Sequence, residues 1–326
     1  MKKLDLKTSN KFRNLSFVAA CLVVYRHLGV VTAHQGSSWW FLQLMPEGIC
    51  QMAVPFFFLA SGYFLAQHID GRGWWRREVG KRVWSILIPY VIWCAFYVVY
   101  SMALQAMANI FAHRPFLDNV FRADEVLTWF GLDMTKMPFL TPLWFLRSLF
   151  IVVLLSPVID YARRSLPLLV FIGMAYVIDT WIYPVFFFSI GMYLAGGKYH
   201  LSRRSGILAG VFAAVGLAFK IELALRGVAF PNWAEPVIDI NLIAFFWTIV
   251  SDREWPKVLT SNAFPIYLLH WPLLFIYAAF IPNTVALGNG FQMFVKGMVG
   301  ICGSLAVAVM MRKLLPGLSK YAFGGR

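Results

Sequence analysis

The sequence is poor in charge for its length. Only 13% of its 326 residues are Asp, Glu, Lys or Arg, whereas hydrophobic residues make up 60%. Because about a quarter of the residues in a water-soluble domain are charged, this composition excludes an ordinary soluble globule. The apolar content would fill roughly ten membrane spans of about 20 residues each. The sequence therefore predicts an all-α, polytopic integral membrane protein.

Cysteine is scarce as well. No two cysteines have the CxxC or Cys/His spacing of a metal site, and they lie far apart in apolar stretches, at Cys21, Cys50, Cys94 and Cys302. This excludes a disulfide-rich scaffold and predicts that no metal ion is bound. The chain also has no internal repeat and no low-complexity tail, so we expect one membrane domain over residues 1–326.

The apolar residues fall into about ten runs, each bounded by charged residues, Pro or Gly. A helix of such length crosses the hydrocarbon core, and a helix that is apolar on almost every side shows only weak periodicity. We place the runs at about 14–33, 47–67, 83–107, 140–160, 166–182, 183–197, 207–226, 236–251, 259–281 and 290–312.

The net charge of +14 comes from Lys and Arg residues in short clusters between these runs. This is the pattern of the positive-inside rule, and it argues against a nucleic-acid partner. Most of the basic residues lie on alternate connections that include both termini. The opposite connections hold only Arg114, Arg122, Lys136 and Arg226. We therefore expect both termini in the cytoplasm.

Ionisable side chains inside a span are costly in hydrocarbon, which makes them candidate functional groups. His27 lies about 20 Å along the first span, Arg147 about 10 Å below the outer end of the fourth, and His270 about 17 Å along the ninth. We expect all three to meet in one cavity in the outer half of the membrane. The candidates for its mouth are Glu47, Asp179, Lys220, Glu222, Asp239 and Lys296.

Several roles fit these residues. A histidine beside fixed cations suits proton transfer coupled to a developing anion, as in acyl transfer to a hydroxyl. The same groups suit a transporter or flippase of an anionic or glycosylated solute, with Arg147 and His270 as binding residues. Structural roles also stay open, namely a buried neutral imidazole for His27 or His270, and pairing with carboxylates for Arg26 or Arg147.

Five strings, in order along the chain, resemble the motifs of acyltransferase family 3, the membrane O-acyltransferases that acetylate bacterial surface glycans. They are LVVYRH at 22–27, VPFFFLASGY at 54–63, KR at 81–82 with IPY at 88–90 and Trp93, LWFL at 143–146 with SP at 156–157, and IYLLHWP at 266–272. The resemblance covers residues 13 to about 275. It implies transfer of an acyl group, usually acetyl from cytoplasmic acetyl-CoA, to a hydroxyl of an outward-facing sugar at the bacterial inner membrane.

The resemblance also implies residue roles. His27 matches the essential first-span histidine of the family, acting as general base toward the acceptor hydroxyl or as transient acyl carrier. Arg26 or Arg147 would meet the developing charge. Trp144 would stack on a sugar or on the adenine, although aromatic residues in spans more often serve packing. His270 lies in the last matching string and is a candidate for substrate contact.

On the donor side, the resemblance implies that cations bind the phosphates of acetyl-CoA, which is a substrate rather than a bound cofactor. The candidates are Arg13, Arg72, Arg76, Arg77, Lys81 and Arg82. The positive-inside rule alone also explains such a run. Family members commonly carry a basic residue eleven positions before the histidine, where this chain has Ser16. Either the cationic roles moved to Arg13, Arg26 and Arg82, or the chain is a divergent relative; a non-catalytic membrane assembly partner also stays open.

Overall fold

The computed structural model describes residues 5–31, 44–112, 126–131, 140–162, 170, 172–175, 182–197, 200–280 and 289–325. Every regular element in these ranges is helical, and none of them is a strand. The all-α prediction is therefore confirmed over the described part of the chain.

The N-terminal half of the described chain begins with four helices, of which the first and the last are the longest. They are α1 (Leu6–Val31), α2 (Ala53–Ala66), α3 (Trp74–Arg82) and α4 (Ile88–Ala112). A 3-10 turn at Ile49–Met52 leads into α2, and a π-helical segment at Val83–Leu87 joins α3 to α4. Three shorter helices follow: α5 (Val126–Trp129), α6 (Trp144–Leu154) and α7 (Ser156–Ala162).

The C-terminal half alternates longer and shorter helices. They are α8 (Tyr183–Gly196), α9 (Arg203–Leu225), α10 (Glu235–Ile249), α11 (Lys257–Thr260), α12 (Ala263–Phe280), α13 (Asn289–Leu314) and α14 (Pro316–Ala322). In this half, α9 packs against α10, and α12 packs against both α13 and α1.

Among the described residues, four helical stretches are long and apolar enough to cross a membrane, namely Ile49–Ala66, Trp74–Ala103, Arg203–Leu225 and Phe291–Leu314. Three further apolar helices are shorter: Thr141–Leu154, Tyr183–Gly196 and Ala263–Tyr277. The predicted run at 166–182 lies mostly outside the described residues. These helices are those of a membrane protein, whereas the count of ten spans and the direction of the termini stay predictions.

The surface of α9 has the character of a helix that faces lipid. Val211, Phe212 and Val215 are each more than half exposed, although they lie in the middle of an apolar helix. In water such a surface would favour association, whereas in a bilayer it lies against acyl chains at no cost.

The helices α2 and α8 pack closest, because each contributes a glycine at the contact. A Cβ atom at Gly191 would stand 1.9 Å from the Leu59 carbonyl oxygen, and one at Gly62 would stand 2.1 Å from the Phe188 carbonyl oxygen. No side chain fits at these distances, so the small residues let the two backbones touch. The SG pair of the second matching string thus has a packing role at Gly62.

Polar contacts at the start of α1 fix the rotation of that helix. Asn14, 1% exposed, donates from Nδ2 to the Ser251 carbonyl oxygen at 2.9 Å and to the Arg253 carbonyl oxygen at 2.8 Å. Each bond satisfies a carbonyl that would otherwise be left without a partner beyond the end of α10. Since Arg13 and His27 lie on the same rigid helix, these bonds also set the direction of both side chains.

Candidate active site

A cavity of about 500 Å³ lies beside the C-terminal half of α1, and we call it the His27 cavity. Its walls come from α1, the 3-10 turn at Ile49–Met52, α2, α6, α8 and α10. The functional groups that line it are Arg26, His27, Trp144, Arg147, Glu235 and Asp239. His27 and Arg147 therefore line the same cavity, as the sequence predicted.

The His27 ring is held by aromatic contacts. It stacks on the His270 ring with centroids 5.3 Å apart at 27°, and meets the Trp271 ring edge-on at 4.8 Å and 87°. Within the described residues, nothing hydrogen-bonds the His27 ring. Among the contacts of the described residues, its orientation is therefore fixed by packing.

His270 occupies a different position from the predicted one. It is completely buried and lies behind His27 instead of lining the cavity. Its Nδ1 atom is 2.7 Å from the Tyr267 carbonyl oxygen and 3.2 Å from the Ile266 carbonyl oxygen. Because a carbonyl only accepts, Nδ1 carries the proton and donates, which leaves Nε2 as an acceptor in the neutral ring.

Charged groups near the cavity are largely paired with one another. Arg26 forms an ion pair with Glu47. Lys220 donates to the Glu47 carbonyl oxygen at 2.7 Å and to the Glu235 carboxylate at 2.5 Å. The pairing of Arg26 with a carboxylate thus agrees with the structural role left open for it. Asp239 lies one helical turn beyond Glu235 on α10 and is 2% exposed.

The other candidates for the mouth lie elsewhere. Glu222 pairs with Arg226 at 2.6 Å on α9. Lys296 is buried on α13, with Nζ 5.9 Å from the centre of the Tyr277 ring. Asp179 lies outside the described residues.

Arg147 and Trp144 lie on the first turn of α6. Arg147 donates from Nη1 to the Gly131 carbonyl oxygen at 2.8 Å, and Trp144 packs against the Phe58 ring at 6.4 Å. The preceding 3-10 turn at Thr141–Leu143 contains Pro142, which fixes the entry of the chain into the helix. Both side chains therefore face the His27 cavity from a rigid element.

A second cavity, of about 540 Å³, lies toward the N-terminal end of α1, and we call it the Arg13 cavity. Arg13, Ser16, Ser61 and Arg82 line it together with aromatic side chains. Ser16 donates from Oγ back to the Phe12 carbonyl oxygen at 2.7 Å, a bond within its own helix. The two guanidinium groups therefore supply the positive charge at this end.

Arg82 is the inward-facing member of its basic run. Its Nε atom is buried without a hydrogen-bond partner in the described residues, and its Nη2 atom is 3.9 Å from a Glu78 carboxylate oxygen. Arg77 instead pairs with Asp70, and Lys81 pairs with Glu78 at 2.6 Å.

The outer members of the run face away. Arg72 and Arg76 are exposed, and neither lines the Arg13 cavity. Arg77 and Lys81 line a separate cavity with Asp70 and Glu78. The role of the run in binding CoA stays a prediction. A turn of 3.6 residues spreads neighbouring side chains around α3, so only part of the run can face one ligand.

Phe57, Phe145 and Tyr267 line the Arg13 cavity and pack against one another, and we call these rings the aromatic layer. Phe57 and Phe145 line the Arg13 cavity with ring centroids 5.8 Å apart, and Tyr267 lies 5.6 Å from Phe145. One residue or one turn away on the same helices, Trp144 and Val54 line the His27 cavity. On α2 the two cavities therefore lie on successive turns, whereas on α6 they lie on different faces of the same turns.

Five polar lining residues of the His27 cavity were missed by the sequence reasoning: Cys50, Gln51, Ser148, Tyr183 and Glu235. Cys50 and Tyr183 belong to elements whose approach to α1 depends on tertiary packing. Glu235 had a usable signal, because it stands four residues before Asp239 and so shares its helix face.

With this geometry in hand, comparisons with known proteins identify the class. The model of the family described as the acyltransferase domain matches residues 13–313. The chain therefore belongs to this acyltransferase family, and the resemblance of the five strings is confirmed. The chain is also similar to the succinoglycan biosynthesis protein ExoH of Rhizobium meliloti (strain 1021), at 25% identity over 308 residues, 88% of this chain and 82% of that protein. No solved structure matches the chain.

Proposed function

We propose that the protein is a ten-span enzyme of the bacterial inner membrane, with both termini in the cytoplasm. It transfers an acetyl group from acetyl-CoA to a hydroxyl of a surface polysaccharide or of its lipid-linked precursor. Membership of the acyltransferase family supports acyl transfer, and similarity to a succinoglycan biosynthesis protein supports a polysaccharide acceptor. The observation that carries the proposal is the pair of cavities of different charge that share walls from α1, α2 and α6.

The Arg13 cavity is the proposed donor site. A CoA molecule carries several phosphates, and planar guanidinium groups bind phosphate with paired, charge-assisted hydrogen bonds. Arg13 and Arg82 face this cavity, and the buried Nε atom of Arg82 offers a donor that no described group satisfies. On this proposal, Arg13 takes the role of the basic residue that family members commonly carry at the position of Ser16.

The His27 cavity is the proposed acceptor site. His27 accepts the proton of the sugar hydroxyl as that oxygen attacks the thioester carbonyl. Arg147 lies in the same cavity and meets the charge that develops on the carbonyl oxygen. The carbon–sulfur bond then breaks, and the proton passes from His27 to the departing CoA sulfur. The products are the acetyl ester and free CoA.

A direct test is mass spectrometry of purified surface glycans from strains with the gene deleted, complemented, and complemented with His27→Ala. Each acetyl group adds about 42 Da, and we expect this mass to vanish on deletion and to return only with intact His27. The matched control is His200→Ala, because His200 is exposed and lines neither cavity.

The same spectra contain the contrary outcomes. Full acetylation with His27→Ala at normal expression would remove His27 from the mechanism. Glycans of unchanged mass after deletion would contradict acyl transfer to them, and solute flux assays would then examine a transporter.

A further inference from the structure

Asp239 is a buried carboxylate with no assigned partner. It lines the His27 cavity and is 2% exposed. Its Oδ1 atom is enclosed and has no hydrogen-bond partner in the described residues. A buried acceptor left unsatisfied is costly, and a buried carboxylate more so. The cost is removed if a ligand in the cavity donates to this group.

The neighbouring charges do not relieve Asp239. Arg26 is engaged by Glu47, and Lys220 is engaged by Glu235 and by a backbone carbonyl. In the described part of the chain, no ion pair reaches Asp239 within 4 Å. The neighbouring Arg26, Lys220 and Glu235 have charged partners on the protein, whereas Asp239 lines the cavity with no ion-pair partner among the described residues.

The composition of the cavity indicates the chemistry of that donor. Arg26 and Arg147 on one side balance Glu235 and Asp239 on the other, so the cavity favours a neutral ligand over an anion. Trp144 adds an aromatic surface against which the apolar face of a ligand's ring can stack. A neutral molecule with several hydroxyls on a ring, which is the chemistry of a sugar, fits both features.

We propose that Asp239 accepts a hydrogen bond from a hydroxyl of the acceptor sugar and so orients the neighbouring, reacting hydroxyl toward His27. Asp239 is then a substrate-binding residue that determines acceptor specificity, whereas His27 performs the proton transfer. This inference rests on the proposed acyl transfer to a glycan.

The test measures transfer by the purified full-length protein in lipid nanodiscs. The donor is radiolabelled acetyl-CoA, and the acceptor is the glycan extracted from the deletion strain. Asp239→Asn keeps the shape of the side chain and removes its charge. Asp239→Ser is the second variant, for use if the first unfolds. Glu222→Gln is the matched control, because Glu222 is a half-exposed carboxylate that lines neither cavity.

Loss of a hydrogen bond to a charged group predicts a KM for the glycan that is raised about 10- to 100-fold by Asp239→Asn. We expect the KM for acetyl-CoA to stay unchanged and Glu222→Gln to behave as wild type. Equal changes in both KM values, or unfolding of both Asp239 variants, would show a structural role and overturn the proposal. An unchanged KM for the glycan would show that Asp239 does not bind it, and would also overturn the proposal. If the wild-type protein itself transfers nothing to the glycan, the proposed function fails first, and the two failures are thus distinguished.

Discussion

The two cavities have nearly equal volumes and share three helices, yet they differ in charge. The Arg13 cavity is lined by two guanidinium groups and by no carboxylate among the described residues. The His27 cavity is lined by two basic and two acidic groups, of which Arg26 and Glu235 are in ion pairs. A polyanion such as CoA is attracted to the first, whereas a neutral sugar is accepted by the second. On the proposed function, this difference in charge is the reason for placing the donor in the Arg13 cavity and the acceptor in the His27 cavity.

The largest expected effect comes from truncating Phe145, one ring of the aromatic layer. Phe145→Ala deletes a ring that is 6% exposed, and we expect it to lower stability by about 4 kcal/mol. It also opens a path between the two cavities, so acetyl-CoA should be hydrolysed faster when no glycan is present. The measurements are the melting temperature in detergent and the release of free CoA.

Phe96→Ala is the control for this effect, since Phe96 is 46% exposed. A melting temperature for Phe145→Ala equal to that of Phe96→Ala would show that the Phe145 ring does not stabilise the fold. Equal release of free CoA by the two variants would show that the ring does not keep water from the thioester.

A smaller effect, felt equally at both cavities, is expected from the contact between α2 and α8. Gly191→Ala places a methyl group against the Leu59 carbonyl oxygen, and we expect a loss of about 3 kcal/mol. Because α2 lines both cavities, the KM values for acetyl-CoA and for the glycan should rise together. Gly80→Ala is the control, since its Cβ meets nothing within 4 Å. A shift in one KM alone would contradict the shared scaffold.

An effect at the donor site alone is expected from Arg82→Gln. Removing one charge-assisted contact to phosphate should raise the KM for acetyl-CoA by about 30-fold, or about 2 kcal/mol, and leave the KM for the glycan unchanged. Arg76→Gln is the matched control, because Arg76 lies on the same helix and is exposed. Equal KM values for the two variants would remove Arg82 from the donor site.

The smallest effect is expected from Glu47→Gln, which breaks the ion pair with Arg26. Both side chains are about 40% exposed, at 36% and 44%, so solvent screens the pair and its contribution to stability is below about 1 kcal/mol. The melting temperature in detergent should fall by no more than about 2 °C. A fall as large as that of Phe145→Ala would mean that this pair holds the cavity together.

The sequence predicted the helices well because hydrophobic length alone defines them. The predicted apolar runs are shorter than the helices wherever polar residues continue a helix beyond its apolar part. The first helix begins at Leu6 and not near residue 14, and the third predicted run continues back to Trp74 through the π-helical segment. Hydropathy reports burial in lipid, whereas a helix continues into water as long as its backbone hydrogen bonds are made.

The site was predictable in depth but not in rotation. A rise of 1.5 Å per residue sufficed to bring His27, Arg147 and His270 to one region. Which way each side chain faces depends on how the helices pack, and for this reason His270 lies behind His27. The pairing of Lys220 with Glu235 joins two helices whose contact no local pattern encodes.

The rings of Phe57, Phe145 and Tyr267 also bear on how a cell stores energy. A bacterial membrane holds a voltage, and one charge crossing it releases about 2.3 kcal/mol per 100 mV. An open, wetted passage from the Arg13 cavity to the His27 cavity would let protons run down that gradient. The acetyl thioester that must reach His27 in the proposed mechanism carries no charge, so we expect aromatic rings to admit it while still excluding ions.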